Sequence, residues 1–225
     1  MSTPETTLGP ALRALAAGEV VVLRDLERER ADLIAAAELV GPETVALMAR
    51  IGRGIVAVAL RRKRCAALGL VPMPATPGAP VARDGALPLV SVEAREGVST
   101  GISASDRALT IRTLATSEDP AALVAPGHVF PVPADDGGLL ARVGRAEAAV
   151  DAVALAGCRP VAAICDLLDE RGALAGPDEA VEVAASNGLR IVERAELAEL
   201  RFESQWQTSV KGRKAEEPHS PDPGA

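Results

Sequence analysis

Acidic and basic side chains alternate in one stretch near the amino end of the chain. Residues 24–34 follow a short apolar strand predicted at residues 20–23, and they contain the carboxylates Asp25, Glu27, Glu29 and Asp32 with the arginines Arg24, Arg28 and Arg30. Carboxylates and waters are the ligands that Mg²⁺ prefers, whereas neighbouring guanidinium groups repel a divalent cation. The pattern is therefore compatible with a catalytic loop and also with a solvated charged loop.

A second group of charged residues precedes a helix predicted at residues 147–156. Arg142 lies just ahead of that helix, where the backbone N–H groups and the helix dipole favour an anion. A guanidinium binds phosphate through two parallel hydrogen bonds, so we predict that Arg142 is a phosphate ligand. Arg145 carries a permanent charge and has no lone pair that could bind a metal.

Three blocks of residues carry a family resemblance. They are residues 96–107, the segment Ala125-Pro126-Gly127-His128-Val129-Phe130-Pro131, and residues 140–148 with Leu155-Ala156-Gly157. In this order and spacing the chain resembles the 3,4-dihydroxy-2-butanone 4-phosphate synthase family of riboflavin biosynthesis, from about Leu8 to Leu200. The resemblance implies a cytoplasmic homodimer of mixed α/β (α+β) layered domains that acts on ribulose 5-phosphate and releases formate, with Mg²⁺ as cofactor.

The resemblance also implies roles for individual residues. Glu29 matches a magnesium ligand next to Arg28, and Asp32 follows it if one residue is deleted near Arg30. Asp166 stands where the family has a glutamate that contacts substrate. The implied catalytic residues are Glu29, Asp32, Arg145 and Asp166, and the implied substrate-binding residues are Arg28, Arg142, Ser103, Asp106 and Thr110.

The chain departs from the family pattern at the metal site. Arg145 and Ala146 replace a histidine that ligates metal and a threonine that holds substrate. An arginine cannot reproduce that coordination, so we expect Mg²⁺ binding to be lost and Arg145 to supply positive charge instead. At Asp166 the carboxylate is retracted by about 1.5 Å relative to a glutamate, which weakens proton transfer. His128 is interpreted as a structural hydrogen-bonding residue.

Three functions remain open from the sequence. The first is a divergent synthase-like enzyme that enolises or rearranges a ketose phosphate, with or without formate release. The second is an inactive paralogue that binds a sugar phosphate or dimerises with an active synthase. The third rests on the similarity of this fold to threonylcarbamoyl-adenylate synthases, and the acidic charge of the chain counts against it.

Composition excludes other classes. The net charge of −7 argues against a nucleic-acid-binding protein, and no apolar run approaches the roughly 18 residues of a membrane helix. The cysteines Cys65, Cys158 and Cys165 are scattered and predict buried thiols in a reducing cytosol. The partners expected are a small phosphorylated sugar and a second copy of the chain.

The hydrophobic pattern predicts one folded domain at residues 8–200, preceded by a flexible segment at 1–7 and followed by a polar disordered tail at 201–225. Strands are predicted at 20–23, 55–60, 87–93, 160–167 and 189–192, and helices at 10–17, 42–50, 61–68, 105–115, 120–123, 147–156, 177–187 and 194–200. Asp135-Asp136-Gly137-Gly138 predicts a tight turn between residues 130–133 and 139–143.

Overall fold

Strands and helices alternate along most of the chain in the computed structural model, which describes residues 8–74 and 87–215. The helices are α1 (Leu8–Ala16), α2 (Pro42–Gly52), α3 (Arg62–Ala67), α4 (Ala104–Thr116), α5 (Arg145–Leu155), α6 (Pro177–Asn187) and α7 (Arg194–Ala215). The strands are β1 (Val21–Asp25), β2 (Arg30–Ala36), β3 (Arg53–Arg61), β4 (Val92–Ala94), β5 (Leu123–Val129), β6 (Pro131–Ala134), β7 (Val161–Leu167) and β8 (Arg190–Glu193). The predicted mixed α/β fold class is confirmed.

A six-stranded mixed sheet forms the centre of the molecule, in the order β6-β3-β7-β2-β1-β8. β7 is antiparallel to both β2 and β3, β1 is antiparallel to β2, and the edge strands β6 and β8 run parallel to their neighbours. A separate two-stranded sheet pairs β4 with β5. Residues far apart in the chain therefore meet on β2 and β7.

Helices cover both faces of this sheet. Alternate residues of a strand point to opposite faces, and in β2 Leu33 and Ala35 join one core while Ile34 and Ala36 join the other. The first core packs against α2, α4 and α6, and the second against α1, α5 and α7. Both are built from Ala, Val, Leu and Ile with almost no aromatic residues.

Several predicted elements match closely. The helix predicted at 177–187 has the bounds of α6, and Gly188 ends it in the left-handed conformation with φ of 66°. The glycine allows this backbone conformation without a Cβ clash. Strands β1, β3, β7 and β8 and helices α1 to α5 lie where the pattern placed them, within a few residues.

Other predictions need correction. Residues 139–143 do not form a strand after the turn, because Gly138–Leu140 is a 3-10 turn whose Leu139 N–H donates to the Asp151 carboxylate over 2.9 Å. The strand predicted at 87–93 is reduced to β4, and the short helix at 120–123 is the 3-10 turn Pro120–Ala122. The sequence analysis missed strands β2 and β5.

The predicted termini fall partly outside the described residues. Residues 1–7 and 216–225 lie beyond them, as does most of the proline-rich loop at 75–86. Residues 201–215 continue α7 as helix, so this part of the predicted tail is not irregular. The domain boundary at residue 200 stays a prediction. None of the helices in the described ranges is long and apolar enough to cross a membrane.

Candidate active site

Two carboxylates face each other across neighbouring strands. Asp32 of β2 is paired in register with Asp166 of β7, and both side chains lie on the sheet face of Ile34 and Ile164, which enter the core beneath α5. Asp32 is almost fully buried and Asp166 is about one quarter exposed (27%). Like charges directly opposite each other destabilise a sheet, so this pair requires nearby cations.

Two arginines supply that charge. Arg145, the first residue of α5, donates from Nη1 to Asp32 Oδ1 over 2.7 Å and contacts Asp166 Oδ1 as well. Arg30, two residues before Asp32 on the same face of β2, reaches Asp166 Oδ1 at 2.7 Å and Asp32 Oδ1 at 3.4 Å. We call Arg30, Asp32, Arg145 and Asp166 the charge quartet, and its formal charges cancel.

The electrostatics of the charge quartet raise the pKa values of Asp32 and Arg145. Burial raises the pKa of Asp32, an effect that Arg145 and Arg30 oppose and that the Asp166 charge reinforces. Burial by itself would lower the pKa of Arg145, but the Asp32 and Asp166 carboxylates outweigh burial and raise it. Asp32 is therefore a more basic carboxylate than an exposed aspartate, next to a permanent cation.

The β1–β2 turn lies beside the charge quartet. β1 ends at Asp25 and β2 begins at Arg30, so residues 26–29 form a short turn in which Glu29 has φ of 50°. Arg28 is held to Asp25 through its N–H (3.2 Å) and through Nη1 (3.3 Å). One small pocket is lined by Leu23, Asp25, Arg28, Arg30, Asp32, Gly144, Arg145, Ala148 and Arg194. The two charged stretches of the sequence thus meet in one cleft.

Arg142 has partners inside the fold. Its Nε donates to Glu147 Oε1 over 2.7 Å, and its Nη2 donates to the Pro133 carbonyl over 2.9 Å. Glu147 is fully buried and also accepts the Asp135 N–H at 2.6 Å. Arg142 thereby neutralises a buried carboxylate at the start of α5, and its role as a phosphate ligand stays a prediction.

Asp106 and Thr110 lie on α4 and Ser103 directly precedes it; this helix packs on the other face of the sheet from α5. The Ser103 hydroxyl caps α4 by accepting the Asp106 N–H at 3.0 Å. Hydrogen bonds from the Ser99 hydroxyl and from backbone N–H groups hold the pKa of Asp106 below its usual range. Thr110 accepts the Ala94 N–H at 3.0 Å. Ser103 and Asp106 thus order the 99–103 loop, Thr110 binds β4, and none of the three is part of the charge quartet.

His128 lies on β5 and its Nδ1 contacts the Glu93 carboxylate of β4. This contact agrees with its interpretation as a structural hydrogen-bonding residue. Two arginines of the pocket were missed by the sequence analysis as functional candidates. Arg30 could have been found, because residues two apart in a strand share a face. Arg194 carried no such signal, since its place beside β1 depends on the pairing of β8.

The fold and the cleft define a mixed α/β protein with a pocket lined by ion-paired side chains. The model of the 3,4-dihydroxy-2-butanone 4-phosphate synthase family matches residues 10–200. The chain belongs to this family.

Named relatives agree with this assignment. The chain is 42% identical over 207 residues to riboflavin biosynthesis protein RibBA of Salinispora arenicola, covering 91% of the chain and 49% of that protein. It is 39% identical over 199 residues to 3,4-dihydroxy-2-butanone 4-phosphate synthase of Pseudomonas aeruginosa, covering 87% of the chain and 54% of that protein. The chain therefore spans about half the length of these curated relatives.

Solved structures are also similar. A synthase structure from Candida albicans superposes with a TM-score of 0.76 at 36% identity, covering 85% of this chain and 95% of that one. A synthase structure in complex with two magnesium ions gives a TM-score of 0.75 at 38% identity, with coverage of 84% and 93%.

The side chains of this chain do not fit a magnesium centre of the kind that the family implies. Arg145 is the residue that the sequence analysis matched to a metal-binding histidine, and its guanidinium and that of Arg30 contact Oδ1 of both Asp32 and Asp166. Across residues 8–74 and 87–215, no three His, Cys, Asp or Glu side chains converge as a metal site. A cation here would face two guanidinium groups within contact distance of the carboxylates it needs.

Proposed function

We propose that the chain is an enzyme that acts on ribulose 5-phosphate or a similar ketose phosphate, in the manner of the family to which it belongs. The observation that carries the proposal is the charge quartet, in which two carboxylates from β2 and β7 meet two guanidinium groups in one cleft. Enolisation of a ketose needs a base for a C–H proton and a cation for the developing oxyanion. The quartet supplies both.

Each quartet residue has a role in this proposal. Asp32 removes or returns the carbon-bound proton, because burial keeps its carboxylate basic. Arg145 stabilises the enediolate oxygen that forms when the proton leaves, and Arg30 holds Asp166 in place for a second proton transfer. Glu29 lies in the β1–β2 turn, and we assign it to the part of the site that closes over the bound substrate.

Substrate binding completes the proposal. Arg28, which is 42% exposed beside the pocket, binds the phosphate of the sugar together with Arg142. Ser103 contacts substrate from the second subunit of a homodimer, with the buried Asp106 and Thr110 holding its segment in place, since α4 lies across the sheet from the quartet of its own chain. We further propose that catalysis needs no divalent cation, because Arg145 and Arg30 provide the positive charge.

A formate assay with ribulose 5-phosphate tests the reaction and its metal dependence together. We expect turnover that EDTA leaves unchanged, and no Mg²⁺ binding by calorimetry. The double variant Arg145→His, Ala146→Thr should gain Mg²⁺ binding, while Asp166→Glu is needed in addition for full formate release. Wild-type turnover of about 0.1–10 s⁻¹ that EDTA abolishes would contradict the metal-free proposal. Absence of both turnover and ribulose 5-phosphate binding would contradict the enzymatic function itself.

A further inference from the structure

Arg194 is a buried arginine that the proposed chemistry does not use. It is the first residue of α7 and only 6% exposed. Its Nε lies 2.8 Å from Asp25 Oδ2, and its Nη2 lies 2.5 Å from Glu27 Oε2. One guanidinium thus holds the end of β1 and the first part of the β1–β2 turn.

The sheet fixes where Arg194 stands. β8 runs parallel to β1, with Glu193 opposite Arg24, and these two side chains form an ion pair of 2.5 Å. Three residues after Arg194, the Leu197 side chain is fully buried in the core against α5. Arg194 is therefore anchored from both sides, by the ion pair of Glu193 before it and by the burial of Leu197 after it.

Asp25 contacts two guanidinium groups that differ in distance and in burial. Arg194 approaches it at 2.8 Å from the buried side, whereas Nη1 of the more exposed Arg28 lies 3.3 Å away. A buried carboxylate must be neutralised. Without Arg194, Arg28 is the remaining arginine in contact with Asp25 and would have to neutralise it alone, which leaves its guanidinium less available to a ligand in the pocket.

We propose that Arg194 is a positioning residue: by neutralising Asp25 it holds the β1–β2 turn against α7 and leaves the Arg28 guanidinium available to a phosphorylated ligand in the adjacent pocket. The inference rests on the proposed function in taking Arg28 as a phosphate ligand. Arg194 acts through Asp25 and does not itself touch the substrate.

Hydrogen exchange of the turn provides the first test, and it requires no ligand. Arg194→Met should accelerate amide exchange at residues 26–29 by about tenfold or more, because the turn loses its anchor. Arg194→Lys should restore part of the protection. Arg159→Ala is the matched control, since Arg159 pairs with Glu38 near the opposite end of β7 from Asp166. Equal protection of the turn in wild type and Arg194→Met would overturn the proposal.

Glu27→Gln keeps this test informative if Arg194→Met does not fold. The Glu27 side chain is 75% exposed, so its substitution leaves the core intact and removes one of the two ion pairs of Arg194. Faster exchange at residues 26–29 in this variant supports the anchor. Unchanged exchange there overturns it.

Ligand affinity provides the second test. Arg194→Met should bind ribulose 5-phosphate about tenfold more weakly than wild type, the effect of losing one charge-assisted hydrogen bond. Adding Asp25→Asn should recover most of this loss, because the neutral side chain no longer competes with the ligand for the Arg28 guanidinium. A merely structural role for Arg194 predicts that the double variant binds no better than the single one, and that result would overturn the proposal.

The two proposals fail in different ways. If wild type does not bind ribulose 5-phosphate or inorganic phosphate, the proposed function is wrong whatever the exchange data show. If wild type binds ribulose 5-phosphate and Arg194→Met binds it equally well, the proposed function stands and the role of Arg194 is wrong.

Discussion

Asp32 and Asp166 illustrate how charge is balanced at single residues of this protein. Two carboxylates about 5 Å apart repel by roughly 3 kcal/mol at the effective dielectric constant of a protein surface. Arg145 and Arg30 each contact both carboxylates, so the repulsion is replaced by four attractive contacts. The same contacts occupy oxygens that a metal would require, which links the arginines to the proposed metal-free chemistry.

Arg142 and Glu147 form the second buried charge pair near the site. Arg142→Ala should lower the free energy of unfolding by about 3–5 kcal/mol, because it leaves a fully buried carboxylate without its cation. Urea denaturation measures the change. In the background of Glu147→Gln the same substitution should cost much less, since no buried charge remains. Equal costs in the two backgrounds would show that Arg142 does not stabilise Glu147.

At the scale of elements, β3 and β7 approach closely where Asp166 is positioned. A Cβ added at Gly54 would lie 2.6 Å from the Asp166 carbonyl oxygen and 3.0 Å from the Asp166 Cβ. The register of the two strands also shifts between Arg53 and Val56. Because Gly54 has no side chain, the irregular part of β3 can lie close to the Asp166 backbone. This close approach helps to position the Asp166 carboxylate of the charge quartet.

Gly54→Ala should therefore disturb both stability and activity. Backbone atoms of β7 must move to admit the methyl group, at a cost of about 1–3 kcal/mol. Thermal unfolding and the ribulose 5-phosphate assay measure the two effects. Gly176→Ala is the control, because a Cβ there meets no atom within 4 Å. A Gly54→Ala protein with wild-type stability and activity would refute the close-packing argument.

The β1–β2 hairpin is the element in which local signals and tertiary contacts disagree most. Charged residues from 24 to 32 favoured a loop, yet residues 30–36 form a strand with both of its neighbours paired. The charged side chains Arg30 and Asp32 enter this strand because Arg145 and Asp166 compensate them from α5 and β7. Partners so distant in sequence cannot be inferred from the pattern of β2 itself.

At the scale of the whole molecule, the buried cysteines should contribute to the change of folding stability at alkaline pH. Burial raises the pKa of Cys65 to about 11 and that of Cys165 to about 12. The chain has no tyrosine, so few other groups titrate between pH 9 and pH 11. Both thiols keep their protons in the folded protein at a pH where the unfolded chain has lost them.

Stability should consequently fall as pH rises above about 9, the range in which unfolded thiols ionise first. For Cys165 the free energy of unfolding should fall by about 1–2 kcal/mol between pH 9 and pH 10.5. In this range the thiol ionises in the unfolded chain but keeps its proton in the folded protein, so each step in pH stabilises the unfolded state relative to the folded one. Urea denaturation of wild type and Cys165→Ala across this range isolates the thiol, as the lysines titrate in both proteins. Parallel pH profiles for the two proteins would contradict a raised pKa at Cys165.

The sequence by itself determined the family, the mixed α/β class and most of the regular elements. Helix α6 illustrates why, since Pro177 starts it and Gly188 stops it through local backbone preferences. Arg28, Asp32 and Arg145, which line the pocket, could likewise be named from the sequence, because the motifs at 28–32 and 142–147 are contiguous in the chain. Arg145 was identified as a residue that cannot bind metal from its chemistry alone.

Only the tertiary structure decided which charges meet. The pairing of β2 with β7 sets Asp32 opposite Asp166, and α5 brings Arg145 to both carboxylates across the second core. The same packing turned Arg142 toward the buried Glu147 and placed Arg194 on the β1–β2 turn. These contacts join residues up to 169 positions apart, as in Arg24 and Glu193. Local sequence preferences carry no information on such pairs, because their energy depends on burial and distance that arise only when the sheet has formed.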